Sequence, residues 1–161
     1  QPPPGADYPA TPVLRNALGP YTSKVDYSEA PAVTYTDPEV ARVGLTETEA
    51  KDRSRVQTYR YEFADLDRAI VDGHDTGFVK VMTKPNGRIL GATVVGAGAG
   101  ELLVPLVLAM KRRMKLPQLS QVIYPYPTMA EGIKRTADSY YRAKLAGRTG
   151  TWLRRVVRLL K

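Results

Sequence analysis

The sequence predicts an α+β fold, an antiparallel β-sheet with flanking helices. Three observations carry that expectation. Strand-like alternation of β-branched and aromatic residues is concentrated before Gly96, and helical patterning dominates after it. The two most β-rich runs, residues 77–83 and 88–95, are joined by Lys84-Pro85-Asn86-Gly87, and Asn-Gly is a strong hairpin signal. No GxGxxG follows a strand, so a doubly wound nucleotide-binding unit is not expected.

Taken in order, residues 1–9 read as an irregular lead-in, and residues 11–18 as a short helix ended by Gly19-Pro20. Residues 32–36 alternate as a strand, and Asp37-Pro38 turns it. Thr46 and Glu49 have the spacing of a capping box, in which each side chain satisfies the other's backbone amide, so a short helix should follow to about Ser54. Residues 56–63 form a second alternating run, and residues 66–71 a short helix or turn. Gly96-Ala97-Gly98-Ala99-Gly100 has the wrong spacing for a phosphate loop and leads into an apolar helix. It reads as a close-packed strand-to-helix turn.

Residues 101–115 form a long helix, apolar on nearly all sides at Leu102, Leu103, Val104, Leu106, Val107 and Leu108, so burial on more than one face is expected. Pro105 removes one helical hydrogen bond and should kink or delay the first turn. Residues 116–123 lead to Tyr124-Pro125-Tyr126-Pro127. Thr128 and Glu131 read as a second capping box, opening a helix to about Leu145 that Gly147 ends. Residues 152–160 are patterned as a final amphipathic helix.

Composition narrows the chemistry. With no cysteine, the chain has no disulfide, thiolate metal site or thiol chemistry of its own, which fits a cytoplasmic protein. One histidine makes no zinc site, and His74 in Asp72-Gly73-His74-Asp75 reads as a solvated loop residue. No apolar run reaches the roughly 18 residues that span a bilayer, and the first residues lack a signal-peptide pattern. The net charge is +8, and from Lys134 onward nine basic residues face only Asp138, so the last 28 residues carry all of it. Tyr59, Tyr61, Tyr140 and Tyr141 alternate with basic residues. Strand and helix amphipathicity accounts for them, and no nucleic-acid partner is expected.

Several ordered motifs resemble one known domain. Residues 31–50, PAVTYTDPEVARVGLTETEA, are similar to the opening of the C-terminal interface domain of the pyridine nucleotide-disulfide oxidoreductases, the family of glutathione reductase, lipoamide dehydrogenase and mercuric reductase. Residues 67–103 resemble its middle, YPYPTMAEGIK at 124–134 resembles its C-terminal signature, and Arg15-Asn16-Ala17-Leu18 resembles the end of the preceding flavin domain. The resemblance covers about residues 6–146 and implies a three-part chain. Residues 1–30 would be the lead-in from an FAD domain, 31–146 the dimerisation domain, and 147–161 a basic tail. It also implies a homodimer, contacts with FAD and NAD domains of the same polypeptide, and FAD and NAD(P)H as cofactors of the parent. The chain alone is expected to bind no cofactor and to have no redox activity.

One departure from the family pattern bears on chemistry. Most members read His-Pro-Thr with a glutamate four residues beyond the proline, and the histidine is the acid–base group serving the partner's thiols. Here the matching positions are Tyr126, Pro127, Thr128 and Glu131. A phenol with pKa of about 10 is a poor base at neutral pH, which argues against proton shuttling. The resemblance implies Tyr126 and Glu131 as catalytic candidates acting on the partner subunit, Pro125, Pro127 and Thr128 beside the partner's flavin, and a cis peptide before Pro127. Tyrosine here and the Thr-Met-x-Glu-Gly run are similar to the mercuric reductase branch. The absence of its terminal cysteine pair argues against mercury reduction itself. The tail, with Trp152, Leu153, Val156, Val157 and Leu160 on one helical face among arginines, suits an anionic membrane surface or docking on a protein face. The competing reading of the whole chain is a free-standing basic module for membrane or nucleic acid.

Overall fold

A computed structural model describes residues 7–20, 22, 27, 29–53 and 55–147. The elements run α1 Asp7–Leu18, β1 Ala32–Thr34, β2 Val40–Gly44, α2 Glu47–Arg53, β3 Gln57–Glu62, a 3₁₀ turn Phe63–Asp65, α3 Asp67–Asp72, β4 Phe78–Thr83, β5 Ile89–Val95, α4 Ala99–Lys111, α5 Leu116–Leu119 and α6 Glu131–Ala146. The five strands form one antiparallel sheet in the order β1-β2-β5-β4-β3. The α+β expectation holds.

Alternation decides which side of the sheet is covered. Ala41 and Val43 of β2, Val94 and Ala92 of β5, Val79 and Val81 of β4, and Tyr59 of β3 share one face and are buried in the core. On that face α4 lies over β5 and β2, and α6 over β4 and β3. On the other face Arg42, Thr93, Lys80 and Arg60 form a polar row across four strands. There Lys80 reaches Glu47 of α2 at 3.2 Å, and the Arg60 guanidinium lies 3.7 Å above the Phe78 ring.

Several local expectations are met by specific bonds. In the Thr46–Glu49 box, Glu49 accepts from the Thr46 amide at 2.8 Å and from its hydroxyl at 2.8 Å, while the Glu49 amide donates back at 3.3 Å. Those bonds hold the Glu49 carboxyl below its usual range. Thr46→Ala should therefore cost about 1 kcal/mol, read as a lower midpoint in urea unfolding. In the β4–β5 hairpin the Gly87 amide donates to Lys84 O at 2.8 Å, with Gly87 at φ 86°.

The glycine-rich turn is close-packed for a visible reason. The Phe63 ring is fully buried against Gly96 and Gly77. A Cβ on Gly96, which has φ 136°, would lie 2.5 Å from Phe63 Cε2. The ring fixes the 3₁₀ turn and with it the start of α3.

Four expectations need correction. Residues 40–44 form β2, a strand not expected from the five-residue VARVG run, which is too short to stand out from the turns around it. The helix at the N-terminus begins at Asp7, inside the stretch expected to be irregular. The long helix runs Ala99–Lys111 rather than 101–115. Arg113 takes a left-handed conformation at φ 54°, and the Arg113 and Met114 amides close the end onto Met110 O and Ala109 O. The same helix continues through Pro105, and within the single chain it is buried on one side. Leu102, Leu103, Leu106, Ala109 and Met110 face the core, whereas Val104 and Leu108 are 59% and 57% exposed. Residues 148–161, including the predicted final helix, lie outside the described residues.

Candidate functional site

The segment predicted to carry the site is Tyr124 to Glu131, between α5 and α6. The Tyr126–Pro127 peptide is cis, as expected. Thr128 does not cap the following helix. Its hydroxyl donates to Pro125 O at 2.8 Å, and α6 begins only at Glu131, with Ala130 at the N-cap and no side-chain cap bond. This overturns the second capping box. The backbone bends tightly from Pro125 to Thr128, so the threonine oxygen faces back into the bend instead of toward the helix. Glu131 is buried at the first turn of α6, where its carboxylate lies 3.7 Å from Arg135 and is favoured by the helix N-terminus.

Tyr126 projects outward and is 69% exposed. Its hydroxyl donates to Asp67 Oδ2 at 3.0 Å, tying the segment to the first residue of α3. That hydrogen bond and the carboxylate charge hold the phenol above its ordinary pKa range, so it stays protonated at and above neutral pH. The structure therefore brings Tyr126 to Asp67 and leaves Glu131 with Arg135. Pro125 and Pro127 are exposed beside the phenol, and Thr128 is half-buried. Asp67, 59 residues away in the chain, carried no spacing signal that could have joined it to Tyr126.

A second feature is the open side of α4. Val104 and Leu108 are four residues apart, on one helical face, with Val107 half-buried beside them. Next to them Pro31, Val33, Gly100, Leu103, Val104 and Val107 line an almost wholly apolar groove of about 150 Å³ between β1 and α4. Ile123, just before the Tyr124 segment, is 94% exposed. Among the described residues no group of His, Asp and Glu is placed to hold a metal ion, and no helix is long and apolar enough to cross a membrane. His74 is exposed, and Tyr59 and Tyr140 are buried against each other with ring centroids 5.6 Å apart.

With this geometry in hand, comparisons with known proteins converge. Residues 30–137 match the family described as pyridine nucleotide-disulphide oxidoreductase, dimerisation domain. A mercuric reductase from Shewanella putrefaciens is 39% identical over 127 residues, covering 78% of this chain and 23% of that protein. A dihydrolipoyl dehydrogenase from Rhizobium etli is 40% identical over 126 residues, covering 76% of this chain and 26% of that protein. Among solved structures, LpdA from Mycobacterium tuberculosis superposes with a TM-score of 0.73 at 26% identity, covering 79% of this chain and 28% of that one. The HOCl-induced flavoprotein disulfide reductase RclA from Escherichia coli gives a TM-score of 0.75 at 23% identity, covering 80% and 30%, a likeness of fold. The chain thus spans about a quarter of the length of the curated relatives it matches.

Proposed function

Because the chain belongs to the pyridine nucleotide-disulphide oxidoreductase dimerisation-domain family, we propose that it is the subunit interface of an FAD- and NAD(P)H-dependent oxidoreductase, pairing two copies and lending Tyr126 to the partner's active site. In this reading residues 1–30 lead in from an FAD domain, and the interface domain extends over 31–146. The observation that carries the pairing is the open side of α4. Val104 and Leu108 would otherwise keep apolar surface in water, beside a groove lined almost entirely by carbon. A two-fold axis that brings two such faces together covers both at once. The test is the mass of the intact chain by sedimentation equilibrium. A dimer at tens of micromolar is the expected result, and a monomer there overturns the pairing.

The residues suit a flavin neighbour that needs shape rather than proton transfer. The cofactor, when bound to the parent's own domain, supplies two-electron transfer with the nicotinamide. This chain supplies the exposed face of Tyr126 and the Pro125 and Pro127 rings, which exclude water. Neither proline has an amide to donate, and the one Tyr126 proton is committed to Asp67, so the phenol offers an oxygen lone pair and an aromatic face. A group in that state positions a ligand; it does not shuttle protons. Glu131, bound to Arg135, sets the start of α6 behind it. In a polypeptide joining this domain to its flavin domain, Tyr126→Phe should retain most of the NAD(P)H-dependent electron transfer to quinone-like acceptors. A loss beyond about a thousandfold, roughly 4 kcal/mol, would show the hydroxyl to be catalytic.

A further inference from the structure

The neutral body of the sequence is not neutral in space. Lys84, Arg88, Arg112, Arg113 and Lys115 of that body, together with Lys144 from the basic C-terminal stretch, are all exposed. The fold gathers them at the β4–β5 hairpin end of the sheet. The Arg88 and Lys115 backbones pair antiparallel, the Leu116 amide donates to Gly87 O at 2.8 Å, Gly87 lies against Pro117 and the Tyr140 ring, and Lys144 Nζ sits 4.7 Å from that ring's centre. None of the six has a carboxylate within ion-pair distance among the described residues; the neighbouring Lys111 meets Glu29 at 3.9 Å. Of the α2 carboxylates, Glu47 is itself paired with Lys51 and Lys80. Tyr126 and Asp67 lie beyond the opposite end of β4, whose six residues put about 20 Å between the two ends.

One member of the cluster is held there at a cost. Arg113 occupies the left-handed position that closes α4, with Met114 N–H bonded to Ala109 O at 2.8 Å and its own N–H to Met110 O at 2.8 Å. Glycine is the usual occupant of that position because any Cβ is strained there. A charged side chain kept at a strained backbone site points to a use for the charge.

We propose that this basic end is a docking surface for an anionic lipid bilayer. Apolar residues favour lipid over nucleic acid. Tyr141 and Leu145, one turn apart at the end of α6, are 41% and 52% exposed beside Arg142 and Lys144. Such residues gain free energy at an acyl boundary, and a phosphate backbone offers them no apolar phase. The proposal is independent of the dimer reading.

The experiment is co-sedimentation of the intact 161-residue chain with phosphatidylcholine vesicles, with and without phosphatidylglycerol. Binding to the anionic vesicles alone is expected, weakening with added salt. Arg88→Glu with Lys115→Glu should reduce partitioning at least tenfold, since each surface cation contributes about fivefold. Arg113→Gly should weaken binding about fivefold while raising Tm, because glycine relieves the strain. That opposite movement separates a docking role from a structural one. Equal binding to neutral vesicles, binding unchanged in either variant, or preferential capture by duplex DNA at equal phosphate would each overturn the proposal.

Discussion

Val104→Asp with Leu108→Asp is expected to convert the proposed dimer into a monomer without unfolding it. Both side chains point away from the core and are more than half exposed in the single chain, so the fold does not depend on them. Across a two-fold axis each position counts twice. Burying one such side chain is worth about 1.5–3 kcal/mol, and carboxylates there add desolvation and like-charge repulsion. Dimer association should weaken by more than about a hundredfold, since every 1.4 kcal/mol is tenfold. Sedimentation equilibrium reads the mass and circular dichroism confirms the fold. Retention of the dimer would move the interface away from α4.

Gly77→Ala is expected to be among the most damaging single substitutions in the chain. A Cβ there would lie 2.0 Å from Val95 O and 3.0 Å from Phe63 Cδ2, and Gly77 sits at φ 132°. The clash is with the backbone of a central strand, which cannot rotate away as a side chain can. Its own carbonyl accepts from the Phe63 amide at 2.9 Å, so a shift would also release the 3₁₀ turn that places α3 and Asp67. The expected cost is above about 3 kcal/mol, a large fraction of a typical domain's stability. Gly73→Ala is the control. Gly73 is also left-handed, at φ 70°, but a Cβ would meet nothing within 4 Å, so only the conformational cost of about 1–2 kcal/mol remains. Urea unfolding of the two variants side by side distinguishes close packing from backbone preference.

Much of this protein was decided locally and could be read from the chain. The hairpin at Asn86-Gly87, the Thr46–Glu49 box and the stop at Gly147 each involve residues a few positions apart. The ordered motifs from Pro31 to Lys134 located the family, because a shared fold leaves its side-chain choices in sequence order. The same local logic misled at Thr128 and Glu131, where the right spacing for a capping box met a backbone bend that turned the threonine oxygen to Pro125.

What the tertiary structure decided was every relation across the chain. The pairing of Tyr126 with Asp67 depends on Phe63 seating the 3₁₀ turn against Gly77 and Gly96, and no periodicity connects those positions. Helix patterning showed α4 to be apolar all round, but only its seat on β2 and β5 divides the core residues from Val104 and Leu108. Charge shows the same division. The charges over residues 1–133 sum to zero in the sequence, while the β4–β5 hairpin, its bridge to Lys115 and the end of α4 carry Lys84, Arg88, Arg113 and Lys115 to one end. Composition is a property of the chain, whereas the field at a surface depends on distances that only folding sets.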